Sequence, residues 1–277
     1  MHVSKSTCKT ITLTCDMSYD EFVAYYNNCI TMGLVNQNGS VTVNELTYKI
    51  SYDKIYLCGC NLNLNDASYK VKIHLPKYIT HIFENAFYQF RELTEICGEG
   101  IVYLGNYCFN NATRLQKVNF PKLTNIAEGA FTNCEALAKI EIPNCKKIST
   151  LAFQGCHSLK EINAPMVTKL GNSVFFNCYS LTNCYFNSIG YLNNSTFAHC
   201  KKLKVLNLSN IALGNIPCIE GKQVTNYELL LSSYKSLSRL YVDTFIGSFD
   251  KFHKAFYDCD LYYNNFIEKR DSTFPRF

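Results

Sequence analysis

The chain has 277 residues, 47% of them apolar and 18% charged, with a formal net charge of +5. That is enough apolar material for a continuous core, which excludes an intrinsically disordered chain. The mild positive balance falls well short of the clustered basic surface of a dedicated nucleic-acid binder.

No stretch reaches the 18 or more apolar residues of a membrane-spanning helix. Met1 to Cys15 offers Lys5 and Lys9 but neither an apolar signal core nor a small-residue cleavage site. The expected setting is therefore the cytoplasm, the alternative being the cell surface reached by unconventional export. Fifteen cysteines is an odd count, so they cannot all pair within one chain. Eight of them (Cys108, Cys134, Cys145, Cys156, Cys178, Cys184, Cys200 and Cys259) fall on core columns of the repeat described below. Burial as small apolar thiols accounts for those eight; disulfides between stacked copies are the alternative.

Residues 1–70 lie outside the repeat. Ser18 and Glu21 form a Ser-x-x-Glu capping box ahead of an apolar stripe of Phe22, Tyr26 and Ile30, and Gly33 follows. This spacing predicts a helix with both ends marked. Val41 and Val43, then Leu46, Tyr48 and Ile50, alternate like strands, and Ser51 to Lys54 reads as a turn into Ile55 and Leu57. The segment is expected to be a cap that shields the first turn of a stack; the alternative is a small independent domain.

From Val71 the chain enters a 22-residue period that runs from Ile79 to Ile211 without insertion or deletion. Phenylalanine stands at Phe87, Phe109, Phe131, Phe153, Phe175 and Phe197. Three residues later comes the column Phe90, Ala112, Cys134, Cys156, Cys178 and Cys200. Another three on are six leucines, Leu93 to Leu203, and then Ile96, Val118, Ile140, Ile162, Cys184 and Leu206. Two further aliphatic columns start at Ile79 and Ile82. Columns that hold phase over six copies predict a solenoid, in which each copy buries its apolar side against the next.

Within one copy, Ile140 and Ile142 share one face of a strand and Lys139 and Glu141 share the other. Pro143 ends the strand because it has no amide hydrogen to donate. Small residues ahead of most phenylalanines (Ala86, Cys108, Ala130, Ala152) suit a tight return. The expectation is one parallel β-strand plus a short helical or 3-10 return per repeat, with an α+β N-terminal cap. Strands about 4.8 Å apart give the six copies a length of roughly 29 Å. The regular repeats are expected over 71–212 and degenerate repeats with a C-terminal cap over 213–277. There an insertion through Pro217, Gly221 and Asn226 precedes a return of phase at Leu231, Tyr234, Leu237, Leu240 and Val242, and Phe256 and Cys259 begin a last copy.

The run Ala-Phe-x-x-Cys-x-x-Leu-x-x-Ile-x-x-Pro, seen from Ala130 to Pro143 and from Ala152 to Pro165, and without its proline from Thr196 to Leu208, resembles the BspA-like leucine-rich repeats. The resemblance implies a leucine-rich-repeat solenoid that binds protein rather than catalyses, and many members of that family are cell-surface or host-interaction proteins.

Signs of chemistry are sparse. His157 and His199 sit beside the cysteine column, but adjacent residues on a turn point apart and a buried thiol is inert. Cys58-Gly-Cys60 lacks the second spaced pair of a zinc site. No glycine-rich phosphate loop or His-Glu-x-x-His motif occurs. The expectation is no enzyme, no cofactor and no metal.

What remains is the strand face opposite the core: Glu95 with Cys97, Lys117 with Asn119, Lys139 with Glu141, Glu161 with Asn163, Asn183 with Tyr185, Val205 with Asn207, and Arg239 with Tyr241. Aromatics and arginine are common anchors of interfaces, although any solvated sheet face is polar. The strip is the candidate partner-binding face, for a protein of unspecified identity. A structural subunit of a larger assembly and a surface adhesin are the alternatives. A second strip of Lys146, Lys147, Lys169, Lys201, Lys202 and Lys204 reads as one basic edge, either a solubilising rim or a seat for an acidic ligand or nucleic acid whose binding would weaken with salt.

Overall fold

The computed structural model describes residues 9–51, 54–62, 68–186, 188–189, 196–197, 199–208, 239–247 and 260–268, with 207–208, 239–247 and 260–268 described by their backbone alone. The insertion at Pro217, Gly221 and Asn226, the phase positions Leu231, Tyr234 and Leu237, and the copy begun by Phe256 and Cys259 lie outside these residues.

The N-terminal segment runs β1 (Lys9–Thr14), α1 (Tyr19–Thr31), β2 (Val41–Val43), β3 (Leu46–Ser51) and β4 (Lys54–Cys60). Each copy then contributes a longer strand and a short one: β5 (Tyr69–Leu75) and β6 (Ile79–Ile82), β7 (Leu93–Gly98) and β8 (Tyr103–Leu104), β9 (Lys117–Asn119) and β10 (Asn125–Ile126). The alternation continues through β11 (Lys139–Glu141) and β12 (Lys147–Ile148), then β13 (Glu161–Asn163) and β14 (Lys169–Leu170). The longer series ends with β15 (Asn183–Phe186), β16 (Val205–Leu208), β17 (Arg239–Gly247) and β18 (Asp260–Glu268).

The result is a parallel solenoid with two ladders. The first ladder comprises β1-β5-β7-β9 and β11-β13-β15-β16-β17-β18. The second is β4-β6-β8-β10-β12-β14, parallel throughout and extended antiparallel by β3 and β2. Register follows the period: Ile96 pairs with Val118, and Ile140, Ile162, Cys184, Leu206 and Leu240 follow one another strand by strand. Leu240 therefore resumes the column across the insertion. Among the described residues the return between ladders carries no regular helix. It is a run of turns closed by 3-10-like bonds, Cys134 N–H to the Phe131 carbonyl and Leu137 N–H to that of Cys134. The second, two-residue strand is the part that the repeat pattern alone did not indicate.

The apolar columns meet in the interior. From Phe87 to Phe197 the six rings stack turn upon turn, with centroids 5.2–5.6 Å apart and planes within 11° of parallel. All six are buried, as are the leucines from Leu93 to Leu203. Each fully buried ring contributes about 1.5–3 kcal/mol. The cysteine column has a hydrogen-bonding use besides its size. Cys134, Cys156, Cys178 and Cys200 each donate Sγ–H to the phenylalanine carbonyl of the preceding turn, at 3.1–3.2 Å. Burial pushes these thiols well up, Cys200 to about 12, so the donor proton is retained at neutral pH.

Two positions per turn have left-handed backbone. One column is Asn85, Tyr107, Gly129, Leu151 and Ser173; the other is Gln89, Asn111, Asn133, Gly155, Asn177 and His199, with φ between 52° and 71°. Asparagine and glycine tolerate this region best. The bends let Phe131 N–H and Asn133 N–H reach up to the Ala152 and Gln154 carbonyls of the next turn. At Gly155 a side chain is disfavoured by φ of 71° and would need Asn133 to move, since Asn133 Oδ1 lies 2.3 Å from where a Cβ would stand.

The N-terminal segment is built onto both ladders. β1 pairs along its whole length with β5, and β4 pairs with β6. In α1 the Ser18–Glu21 capping box is made in both directions, with the Ser18 amide donating to Glu21 Oε2 at 2.8 Å. The helix ends on Gly33, where the Leu34 and Gly33 amides close back on the Cys29 and Ile30 carbonyls. The buried stripe is Phe22, Tyr26 and Cys29 rather than the expected Phe22, Tyr26 and Ile30. Ile30 lies one residue further round the helix and is 49% exposed. Phe22 meets Tyr48 edge to face at 5.2 Å, and the Tyr78 hydroxyl donates to the Met17 carbonyl at 3.0 Å, tying helix to repeat.

Candidate interaction face

On the first ladder the strand register defines two columns, one on either side of the buried Ile96, Val118, Ile140, Ile162, Cys184 and Leu206. One runs Thr12, Lys72, Glu95, Lys117, and then Lys139, Glu161, Asn183, Val205, Arg239 and Asp260. The other runs Thr14, His74, Cys97, Asn119, and then Glu141, Asn163, Tyr185, Asn207, Tyr241 and Tyr262. All twelve candidate residues named from the sequence (Glu95, Lys117, Asn119, Lys139, Glu141, Glu161, Asn163, Asn183, Tyr185, Asn207, Arg239 and Tyr241) occupy these columns. The register adds Thr12, Thr14, Lys72, His74, Asp260 and Tyr262, which sequence reasoning missed. Lys72 and His74 stand in β5, ahead of the strict period, and Thr12 stands in β1, whose Thr-Ile-Thr-Leu-Thr alternation was the available signal.

Charge on this face is internally balanced. Glu95 lies between Lys72 (3.2 Å) and Lys117 (2.6 Å), each one strand away. The Lys117 hydrogen bond, with that of Lys72 behind it, holds the Glu95 carboxyl below its ordinary value. Lys139 bridges along its own strand to Glu141 at 2.9 Å and lowers that carboxyl as well. Cys97 is half-buried, and burial raises its thiol. A depression of about 140 Å³ lies on this face between Lys139, Ile140, Pro143, Glu161 and Asn163, well below the roughly 300–1,000 Å³ of small-molecule sites.

The residues considered for chemistry are occupied otherwise. His157 stacks on Tyr179 at 4.9 Å, while the adjacent Cys156 turns inward to its carbonyl acceptor. Cys58 is half-buried with its thiol raised to about 11 by burial. Among the described residues no three histidine, cysteine or acidic side chains gather as metal ligands would, and no helix is long and apolar enough to cross a membrane. The basic strip divides. Lys146, Lys147 and Lys169 lie at the second ladder, whereas Lys201, Lys202 and Lys204 precede β16 of the first, because each copy carries both ladders 22 residues around.

Comparison with known proteins agrees with this geometry. The family model described as "BspA type Leucine rich repeat region (6 copies)" matches residues 64–156 and 124–230, more than half of the chain. No curated protein matches. Among solved structures, a leucine-rich repeat protein from Bacteroides ovatus is 21% identical over 82% of this chain and 68% of its own, with a TM-score of 0.54. The T. pallidum leucine-rich repeat protein is 19% identical over 70% of this chain and 96% of its own, also with a TM-score of 0.54. At these identities the likeness concerns the fold.

Proposed function

Because the chain belongs to the BspA-type leucine-rich repeat family, we propose that it is a non-enzymatic module that recognises a protein partner across the outer face of its first ladder. Leucine-rich-repeat proteins generally mediate protein interaction, and repeat solenoids present long rigid surfaces whose geometry is set by the stack. The observation that carries the reading is the register. Ten strands in register define two columns along about 43 Å at the usual strand spacing, and the residues in them change from turn to turn while the buried columns between them stay apolar. The tyrosines gather toward the C-terminal end, at Tyr185, Tyr241 and Tyr262, beside Arg239 and Asp260. The column thiols act as donors in their protonated form, which fits a compartment that keeps thiols reduced, the cytoplasm being the first choice.

The test is the triple variant Tyr185→Ala, Arg239→Ala, Tyr241→Ala, used as bait beside the parent in native lysate. Weakened capture of the parent's partners, with an unchanged thermal midpoint, supports the assignment. Equal capture removes these residues from the binding face.

A further inference from the structure

The outer face of the second ladder is a separate surface with a different chemistry. Its outward column reads Tyr56, His81, Tyr103, Asn125, Lys147 and Lys169, one residue per strand from β4 to β14. The N-terminal half is aromatic: His81 lies 4.9 Å from Tyr56 and 5.6 Å from Tyr103, and Phe83 packs edge-on against Tyr56 at 6.0 Å. Phe83 is 43% exposed and Tyr103 37%. The C-terminal half is basic. Lys122 and Lys146 stand beside Lys147 and Lys169, and all four are exposed. None of the ion pairs among the described residues involves them. The outward positions of these three turns otherwise hold threonine, asparagine and Met166, with no carboxylate. Glu128, the nearest acid in sequence on this side, lies past β10 and accepts the Tyr107 hydroxyl. A broad hollow of about 280 Å³ opens between Lys122, Asn144, Lys146 and Met166.

Four ammonium groups on one side, without counter-charge, raise the local concentration of anions and of little else. We propose that this face binds an extended acidic segment of a partner protein, its carboxylates over Lys122, Lys146, Lys147 and Lys169 and an apolar or aromatic residue against Tyr103 and Phe83. Six strands span about 24 Å, the reach of about seven extended residues. A protein segment fits better than single-stranded nucleic acid for two reasons. Base recognition needs free ring faces, and here His81 has a ring on either side while Tyr56 is shared between His81 and Phe83. Four point charges also supply few of the phosphate contacts that nucleic-acid affinity draws on.

The experiment uses three fluorescein-labelled probes on the full chain. One is a twelve-residue peptide with two aromatic residues followed by four glutamates, the second has the glutamates without the aromatics, and the third is a twelve-nucleotide oligothymidylate. Expected is binding of the first peptide that weakens about tenfold or more between 50 and 300 mM NaCl. In K122Q/K146Q/K147Q/K169Q the loss should be at least about twentyfold, with an unchanged thermal midpoint. Y103A/F83A should weaken the first peptide about fivefold and leave the second unaffected. Lys147→Gln with Lys169→Gln is the milder substitution should the quadruple variant lose stability, and Lys160→Gln, an exposed lysine just before β13, expected to change nothing, is the matched control. No binding of the first peptide, equal binding to the quadruple variant, or tighter lysine-dependent binding of the oligothymidylate overturns the proposal.

Discussion

The two ladders hang on one interior and repeat with one period, yet their outer faces balance charge in opposite ways. On the first ladder Lys72, Lys117 and Lys139 stand among Glu95, Glu141 and Glu161, and the nearest pairs are in contact. On the second, four lysines stand together with no acid between them. Both faces are solvated parallel sheets, so secondary structure explains neither pattern. The difference shows that the period constrains only what is buried. A column such as Phe87 to Phe197 must stack at every turn, whereas outward positions are free to differ and can be tuned separately on each side.

The interior common to both faces is where the largest effects are expected. Cys108, Cys134, Cys145, Cys156, Cys178, Cys184 and Cys200 are buried, and burial raises each thiol above its ordinary 9.0, Cys145 and Cys200 to about 12. A raised folded-state value means that the stabilising contribution is complete below pH 9 and is lost as pH climbs toward 12, because the unfolded chain releases its protons first. Each thiol contributes on the order of 1 kcal/mol per pH unit in that window. Stability measured by urea titration should therefore be nearly level from pH 7 to 8 and fall steeply above pH 9. A profile level to pH 11 would mean that the thiols are not held as described. Next in size is Phe153→Ala. It removes the ring between Phe131 and Phe175, 5.2 and 5.6 Å away, and should cost about 3–5 kcal/mol. A loss below about 1 kcal/mol would show that the ladders do not share this support.

These interior columns were the legible part. Side chains buried at every turn must recur every 22 residues, so Phe, Leu and Ile positions, strand parity and the resumption of register at Leu240 could be read directly. The second ladder was harder to see, because a strand of two residues such as Asn125–Ile126 has no alternation to display. The left-handed columns were hidden by their variety: Asn111, Gly155 and His199 perform one backbone task with three unlike side chains. The outward face of the first ladder could be listed by parity, but the bridging of Glu95 by Lys72 and Lys117 needs the strand order, which brings together residues 22 or 23 positions apart. Ile30 went wrong because a helical stripe about 100° wide admits either of two neighbours at its edge, and Cys29 is the one that joins the core.

Single charge removals should then separate the faces themselves. Glu95→Gln leaves two lysines facing each other across an uncharged amide. Both lysines are largely solvated, so the cost should be modest, about 0.5–1 kcal/mol at low salt and less at 0.5 M NaCl. Because the Glu95 carboxyl is held below its ordinary 4.5, its contribution is present above that value and fades as pH falls through the folded-state value. Parent and variant should converge in acid. Lys147→Gln on the second ladder has no carboxylate to abandon and relieves repulsion from Lys146 and Lys169. Its effect should lie within about 0.5 kcal/mol of zero, on the stabilising side, shrinking with added salt. Paired melts of the two variants at 20 mM and 500 mM NaCl give the comparison directly. Shifts of opposite sign that both vanish in salt fit a neutralised face and an unneutralised one. Shifts of the same sign would mean that the lysines of the second ladder have acidic neighbours after all, and its charge would then need no partner to balance it.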